Sequence, residues 1–332
     1  MRLAVGKLVW GTGLAMVVAA MAMAMACSGA TSPASGGPGG SENTTFKIGT
    51  LPIYDVLPWA VGNQEGIFEK AGVKVELVPF ASAAEIDAAL LAGAIDAGQR
   101  DIIAALNMNK DTEQAKIVRT ALSIAATGQP VFGMVALSNS NISSVADLRG
   151  RDIAIARNTI IDYLTDKMLL AGGVNPKDVN KVNVPQIPMR LSLLQNGQVK
   201  AATLAEPVLT QALGNGARLI VDDSVSKVGQ SIVLVSTRAI KEKPTTIKET
   251  LAAYEQAVDR VNAGPEKYRA LLVEVAKVPD DVKDKIKLPK YPKALVSSKA
   301  DIEAVNKWMM EQDMISSMLP YEKVVDASFL PK

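Results

Sequence analysis

A few short stretches of this 332-residue chain gather side chains able to hold a small molecule. Tyr54, Asp55 and Trp59 fall close together, two aromatic faces and a carboxylate. Gln99, Arg100 and Asp101 are consecutive, as are Arg157, Asn158 and Thr159, and Glu206 stands directly before Pro207. Phe80 and Thr127 join them as residues in turns between regular elements. A guanidinium grips a carboxylate or sulfonate through two parallel hydrogen bonds, which is the chemistry open to Arg100 and Arg157. Aromatic faces take planar groups, open to Tyr54, Trp59 and Phe80. Asp55, Asp101 and Glu206 can accept from N–H donors, and Gln99 can both donate and accept. Cations and carboxylates mixed in this way suit a small organic molecule better than a bare inorganic anion. Plainer roles stay open beside these: Asp101 and Thr159 as helix caps, Arg100 turned to solvent, Phe80 covering a strand end, Trp59 packed beneath the surface.

The missing residues narrow the chemistry further. There is no histidine and only one cysteine, which excludes Ser-His-Asp hydrolysis, imidazole acid–base work and most zinc sites. No phosphate-cradling GxxxxGK[ST] or GxGxxG run is present. No metal, cofactor or catalytic residue is expected, and the balance moves from enzyme to binding protein. The chain carries 36 basic and 34 acidic residues. Removing residues 1–26 takes away Arg2 and Lys7 and no acid, leaving 34 of each. A neutral body gives no reason to expect nucleic acid as a partner.

The single cysteine, Cys27, has a different setting. Arg2 and Lys7 flank the start of a charge-free apolar run, Leu8 to Ala26, and a Gly/Ser/Pro tract follows, residues 28–41. A basic start, an apolar middle and small residues before a cut describe an export signal. Ala24-Met25-Ala26-Cys27 resembles the lipobox of bacterial lipoproteins, without the usual leading Leu. The resemblance implies a signal peptide over 1–26, a lipidated Cys27 and a flexible tether over 27–45 that holds the body outside the cytoplasm. The apolar run also has the length of a membrane span, so a retained helical anchor remains the alternative.

From Phe46 the chain must position these side chains with alternating elements. "FKIGTLPI", "VKVELVPF", "AIDAGQ", "AKIVRTALSIAA" and "PVFGMVAL" read as strands, with helices between the first four. The order recurs through "RDIAIAR", "VNKVNVP", "QVKAATLA" and "RLIVDD". Helix stop and strand start repeat as well, at Gly93 and again at Gly197. Such alternation predicts an α/β fold with mostly parallel sheets flanked by helices, in two similar lobes. Ser82-x-x-Glu85, Thr159-x-x-Asp162, Thr246-x-x-Glu249 and Ser298-x-x-Asp301 read as helix starts. Ligands of open α/β sheets sit beyond the carboxyl ends of strands, where the stretches named above fall.

"GIFEKAGVKVEL", "LLAGAIDAG", "SSVADLRGRDIAIA", "LLQNGQVKAATLAEP" and "ADIEAVNKWMMEQDMI" together resemble the solute-binding proteins of ABC importers. The closer likeness is to the group covering nitrate, sulfonates, taurine and thiamine precursors. It implies the two-lobed type II periplasmic-binding-protein fold. One lobe is expected over 46–137 plus 230–332 and the other over 138–229, with the chain crossing near Ser138–Ser140 and Val225–Gln230. It further implies hinge closure on a small-molecule organic solute, an ABC permease as membrane partner, and a monomer, and the aromatic and arginine side chains named above suit a planar, anionic solute. Glu206-Pro207 matches the family's acidic-Pro pair, where Glu206 would accept an N–H from a heterocycle or hold the hinge. The alternatives are a ligand sensor for a membrane receptor and an enzyme built on the same fold.

Overall fold

Two five-stranded sheets of the same plan organise the body, in a computed structural model that describes residues 45–124, 128–226, 228–229 and 231–332. Cys27 and Thr127 lie outside these residues. The strands are β1 Thr45–Thr50, β2 Lys74–Pro79, β3 Ala97–Arg100, β4 Ala115–Leu122, β5 Phe132–Leu137, β6 Asp152–Ile155, β7 Asn180–Asn183, β8 Ala201–Ala205, β9 Ala217–Asp222 and β10 Ser231–Ser236. The first sheet runs β2-β1-β3-β10-β4 and the second β7-β6-β8-β5-β9. In each, four strands run in one direction and one, β10 or β5, runs against them, antiparallel to both its neighbours.

That pairing corrects one expected boundary. β5, placed by the sequence reading at the end of the first lobe, pairs with β8 and β9 in the second sheet. The chain therefore changes lobe between Leu122 and Phe132 rather than at Ser138–Ser140, and returns between Asp222 and Ser231. Buried on both faces, β5 is apolar along its length and fits equally well into either sheet by pattern alone.

Helices cover both sheets, and their ends follow local chemistry. The stretch between β1 and β2 holds two helices, Val56–Gln64 and Ile67–Lys70, because Gly66 takes a left-handed φ of 65° between them. The Ala83–Leu91 helix is capped by Ser82, which accepts from the Glu85 N–H at 3.3 Å, while the Glu85 carboxylate reaches back to the Ala81 N–H. Ser298 and Asp301 form the reciprocal pair of a capping box at the Lys299–Glu311 helix. Thr246 caps nothing: the long helix Pro244–Ala263 begins two residues earlier, with Pro244 already at the helical φ of a first turn. Helices after β10 pack on the first lobe, among them Pro244–Ala263 against Val56–Gln64 and Lys299–Glu311 against Ile102–Asn109.

Candidate functional site: a cavity between the lobes

The carboxyl ends of strands from both sheets face one another across a small cavity. Its first-lobe wall includes Leu51, Ile53, Asp55, Gln99, Arg100, Asp101 and Ser231, and its second-lobe wall Phe132, Ala156, Thr159, Ile160, Ile187 and Arg190. Its free space is about 60 Å³ and it is partly open to solvent. That is well above the about 10–15 Å³ a cavity needs to hold one water, so it has room for water or a small solute.

Among the described residues, polar contacts cross between the lobes at several points. The Ile160 N–H donates to Asp101 Oδ2 at 3.1 Å, the Ile187 N–H to the Ala81 carbonyl at 3.2 Å, and Trp308 Nε1 to Asp166 Oδ2 at 3.0 Å. Tyr163 meets the Trp308 ring edge-on, centroids 5.5 Å apart. The lobes are therefore in contact on more than one side of the cavity.

Of the side chains expected to reach a ligand, Asp55, Gln99, Arg100 and Thr159 line this cavity. Gln99 Oε1 accepts from the Leu51 N–H at 2.9 Å, while its Nε2 is buried without a hydrogen-bond partner. That leaves a donor without its bond, a cost unless a solute supplies the acceptor. Arg100 is already spent: its Nε and Nη2 bond both oxygens of Asp87, at 2.5 and 2.8 Å, and Nη1 lies 3.5 Å from Asp101. The bidentate clamp foreseen for a ligand is closed on the protein's own carboxylate. Asp101 takes its capping role, accepting from the Ala104 N–H at 2.9 Å, and adds the bond to Ile160 in the opposite lobe. Thr159 caps the Ile160–Ala171 helix through the Ile161 N–H.

Asp55 differs from these. It occupies the N-cap position of the Val56–Gln64 helix yet makes no capping bond with its side chain. One oxygen instead accepts from the Ser231 hydroxyl. Ser231 Oγ in turn accepts from the Leu122 N–H at 3.0 Å, which fixes its proton on Asp55. Burial pushes the Asp55 carboxyl up to about 6, the Ser231 bond opposing.

The remaining expectations are corrected. Trp59 is fully buried, its ring 4.3 Å from that of Tyr254 and 5.9 Å from that of Phe68; it is a core residue of the first lobe. Phe80 packs against the same core. Arg157 is exposed, and its Nη2 donates to the Lys181 carbonyl at 2.8 Å. Asn158 is exposed with a left-handed φ of 59°, serving the turn into the next helix. Tyr54 and Glu206 do come together, but in a wider outer groove with Gln129, Lys285 and Lys287. There both Glu206 oxygens accept from Thr210, and burial raises its pKa. The planar solute stacked on Tyr54 and Trp59 thus has no place in the cavity.

Arg190 was not foreseen. It is 1% exposed, and its three donor nitrogens bond only carbonyl oxygens, of Val184, Thr203 and Pro185, at 3.1 to 3.2 Å. Among the described residues no carboxylate lies in ion-pair contact with it. Arg119, as deeply buried, shows the ordinary solution: its Nε meets Glu255 Oε1 at 2.5 Å. Burial without a counter-ion pulls Arg190 down to about 10. The sequence did hold a signal, since Ile187, Arg190, Leu191 and Leu194 form one buried i, i+3, i+4, i+7 stripe of the Ile187–Gln195 helix.

Two sheets of this order with a site at their facing strand ends define the two-lobed periplasmic-binding-protein fold. The chain belongs to the NMT1-like family, whose model matches residues 39–277. Among its relatives is a protein of Brachyspira hyodysenteriae assigned as an ABC transporter periplasmic binding protein, 25% identical over 75% of this chain and 73% of its own. A protein of Bacillus subtilis assigned as aliphatic sulfonates-binding is 26% identical, over 58% of each chain. In structure the chain is similar to the alkanesulfonate-binding protein SsuA of Xanthomonas axonopodis pv. citri bound to MOPS. That likeness has a TM-score of 0.71 at 20% identity and covers 87% of this chain and 98% of the other. These relatives are assigned as binding proteins.

Proposed function

We propose that this protein is the extracytoplasmic solute-binding component of an ABC importer, capturing a small organic anion in the interlobe cavity. The observation that carries the reading is Arg190, a buried cation at the cavity wall without a carboxylate partner among the described residues. A buried unpaired charge is costly, and an anionic solute would offset that cost only while bound. The relatives assigned as sulfonate-binding proteins support the same chemistry. The unpartnered Gln99 Nε2 offers a second donor from the opposite lobe. Binding that draws on both lobes favours their contact, so closure by hinge motion follows capture, and the permease reads the closed form. Lipidation at Cys27 is part of the proposal, supported by the apolar run and the tract that follows it.

The test is calorimetry of the purified whole chain with short alkanesulfonates and carboxylates, set against Arg190→Gln and Arg190→Lys. A hydrogen bond to a charged group contributes about 1.5–3 kcal/mol, so Arg190→Gln should weaken binding about ten- to a hundredfold. Arg190→Lys should keep part of the affinity, with both variants checked for an intact thermal transition. Parent-like affinity in Arg190→Gln would overturn the reading.

A further inference from the structure

We infer that the segment 276–294 is a strap of the first lobe whose tip, Val282, seats on Gly214 of the second, and that this seat sets how closely the lobes come together on a solute. This rests on the reading of the molecule as a solute-capturing protein and adds the part that fixes its closed geometry. Neither residue lines the cavity, so both are positioning residues.

The strap holds no helix or strand up to its end, yet the first lobe grips it firmly. It runs straight out of the Arg269–Val275 helix, with the Val278 N–H bonded to the Val273 carbonyl at 2.9 Å. Just past the tip, Arg269 Nη1 donates to the carbonyls of Lys283 and Ile286, at 3.1 and 2.8 Å. Asn262 then takes both backbone groups of Tyr291, donating to its carbonyl and accepting from its N–H, each at 2.8 Å. The Tyr291 hydroxyl donates to the Tyr54 carbonyl at 2.7 Å, one residue from Asp55 on the cavity wall. Ile286 and Tyr291 are buried, so side chains as well as backbone fix the strap.

From this footing the tip reaches the Val208–Gly214 helix, which packs on β5, β8 and β9 of the second sheet. Val282 is fully buried. A Cβ placed on Gly214 would stand 2.6 Å from Val282 Cγ1, closer than two carbons can approach. Gly214 is otherwise exposed, and it sits inside a helix where no left-handed φ calls for glycine. What its missing side chain makes room for is the opposite lobe. The branched valine is stiff at χ1 and the strap's backbone is held, so an added carbon would push the lobes themselves apart. Lys285 Nζ lies 3.7 Å from the same Cβ position, an ammonium at the carboxyl end of the helix, where the helix dipole favours it. Gly214 and Lys285 border the outer groove together with Gln129 and Pro130 of a crossing segment. The seat therefore lies beside the hinge, where a small displacement is magnified across the cavity.

The test is an exchange of size across the seat in the purified whole chain: Gly214→Ala, Val282→Ala and the two together. Calorimetry would use ethanesulfonate and propanoate, with a thermal scan of each variant. At an exposed helical position alanine in place of glycine ordinarily stabilises. Gly214→Ala should nevertheless weaken the anion that binds the parent by about tenfold or more. Val282→Ala, which clears both methyl groups from the path of the new carbon, should make the double variant bind about as well as Val282→Ala alone. Parent-like affinity in Gly214→Ala, even with a shifted melting temperature, would overturn the strap while the anion reading stands. A double variant no better than Gly214→Ala would overturn it too. If Gly214→Ala does not fold, Lys285→Glu puts a carboxylate at the same helix end from the surface; it should weaken binding about threefold, and parent-like affinity there would be the refutation. A parent that binds neither anion overturns the solute reading and the strap inference with it.

Discussion

Replacing Asp55 with Asn should change how stability depends on pH, and the size of the change can be worked out. Burial raises the Asp55 carboxyl from 3.8 to about 6. Between those values the folded protein holds a proton that the unfolded chain has released, so stability falls as pH rises. The contribution is fully present below 3.8 and lost once pH has passed through about 6. About two pH units at 1.36 kcal/mol each amount to about 3 kcal/mol, of which about 2–3 kcal/mol falls between pH 4 and 8. Asparagine does not titrate and carries none of this slope. For a folded body of about 290 residues the unfolding entropy is about 0.6 kcal/mol per degree. The melting temperature of Asp55→Asn relative to the parent should therefore climb by about 3–5 °C from pH 4 to pH 8. Differential scanning calorimetry in matched buffers at equal ionic strength would measure it. A difference that stays constant over this range would refute the claim that Asp55 is a buried carboxylate without a cationic partner.

Two other outcomes are expected. Within the described residues the tryptophans are Trp59, sealed in the first-lobe core, and Trp308, which joins the lobes through Asp166. A change in emission on solute binding should survive Trp59→Phe and vanish in Trp308→Phe. The latter should also bind about tenfold more weakly, since a hydrogen bond to a charged group contributes about 1.5–3 kcal/mol; an undiminished signal in Trp308→Phe would contradict this. The mature protein should begin at an acylated Cys27, read by intact mass spectrometry, and Cys27→Ser should carry no lipid. A chain that keeps Met1 and has no acyl group would establish the helical anchor instead.

Much of the architecture was legible because α/β alternation is written locally. Gly93 and Gly197, both at left-handed φ, end helices and start strands in the two halves as their spacing suggested. What escaped depends on partners far along the chain. β5 reads the same whichever sheet receives it, and only its pairing with β8 and β9 assigns it. The site divided along the same line. Gln99, near the carboxyl end of β3, and Asp55, in the turn after β1, do line the cavity, but no spacing shows that Arg100 is occupied by Asp87. Arg157 stood at a loop and looked available, while Arg190 stood within a helix and drew no attention. Helix phase alone would have turned Arg190 inward, beside Ile187 and Leu194. Trp59 misled because aromatic residues near a strand end suit a core and a ligand equally well.

The sheet order also fixes which half of the molecule can finish folding first. All five strands of the second sheet lie in one continuous segment, Phe132 to Asp222. The first sheet has β10 between β3 and β4, which do not pair with each other. Until Ser231–Ser236 arrives, β1, β2 and β3 form one fragment and β4 has no strand beside it. Closing that gap joins residues more than a hundred positions apart, a slow kind of contact because the intervening chain must be ordered before the pairing is gained. A chain halted after Asp222, by arrested synthesis or by a protease, keeps the second sheet whole and leaves the first in two pieces. The lobe that begins the body of the protein is the last to be completed.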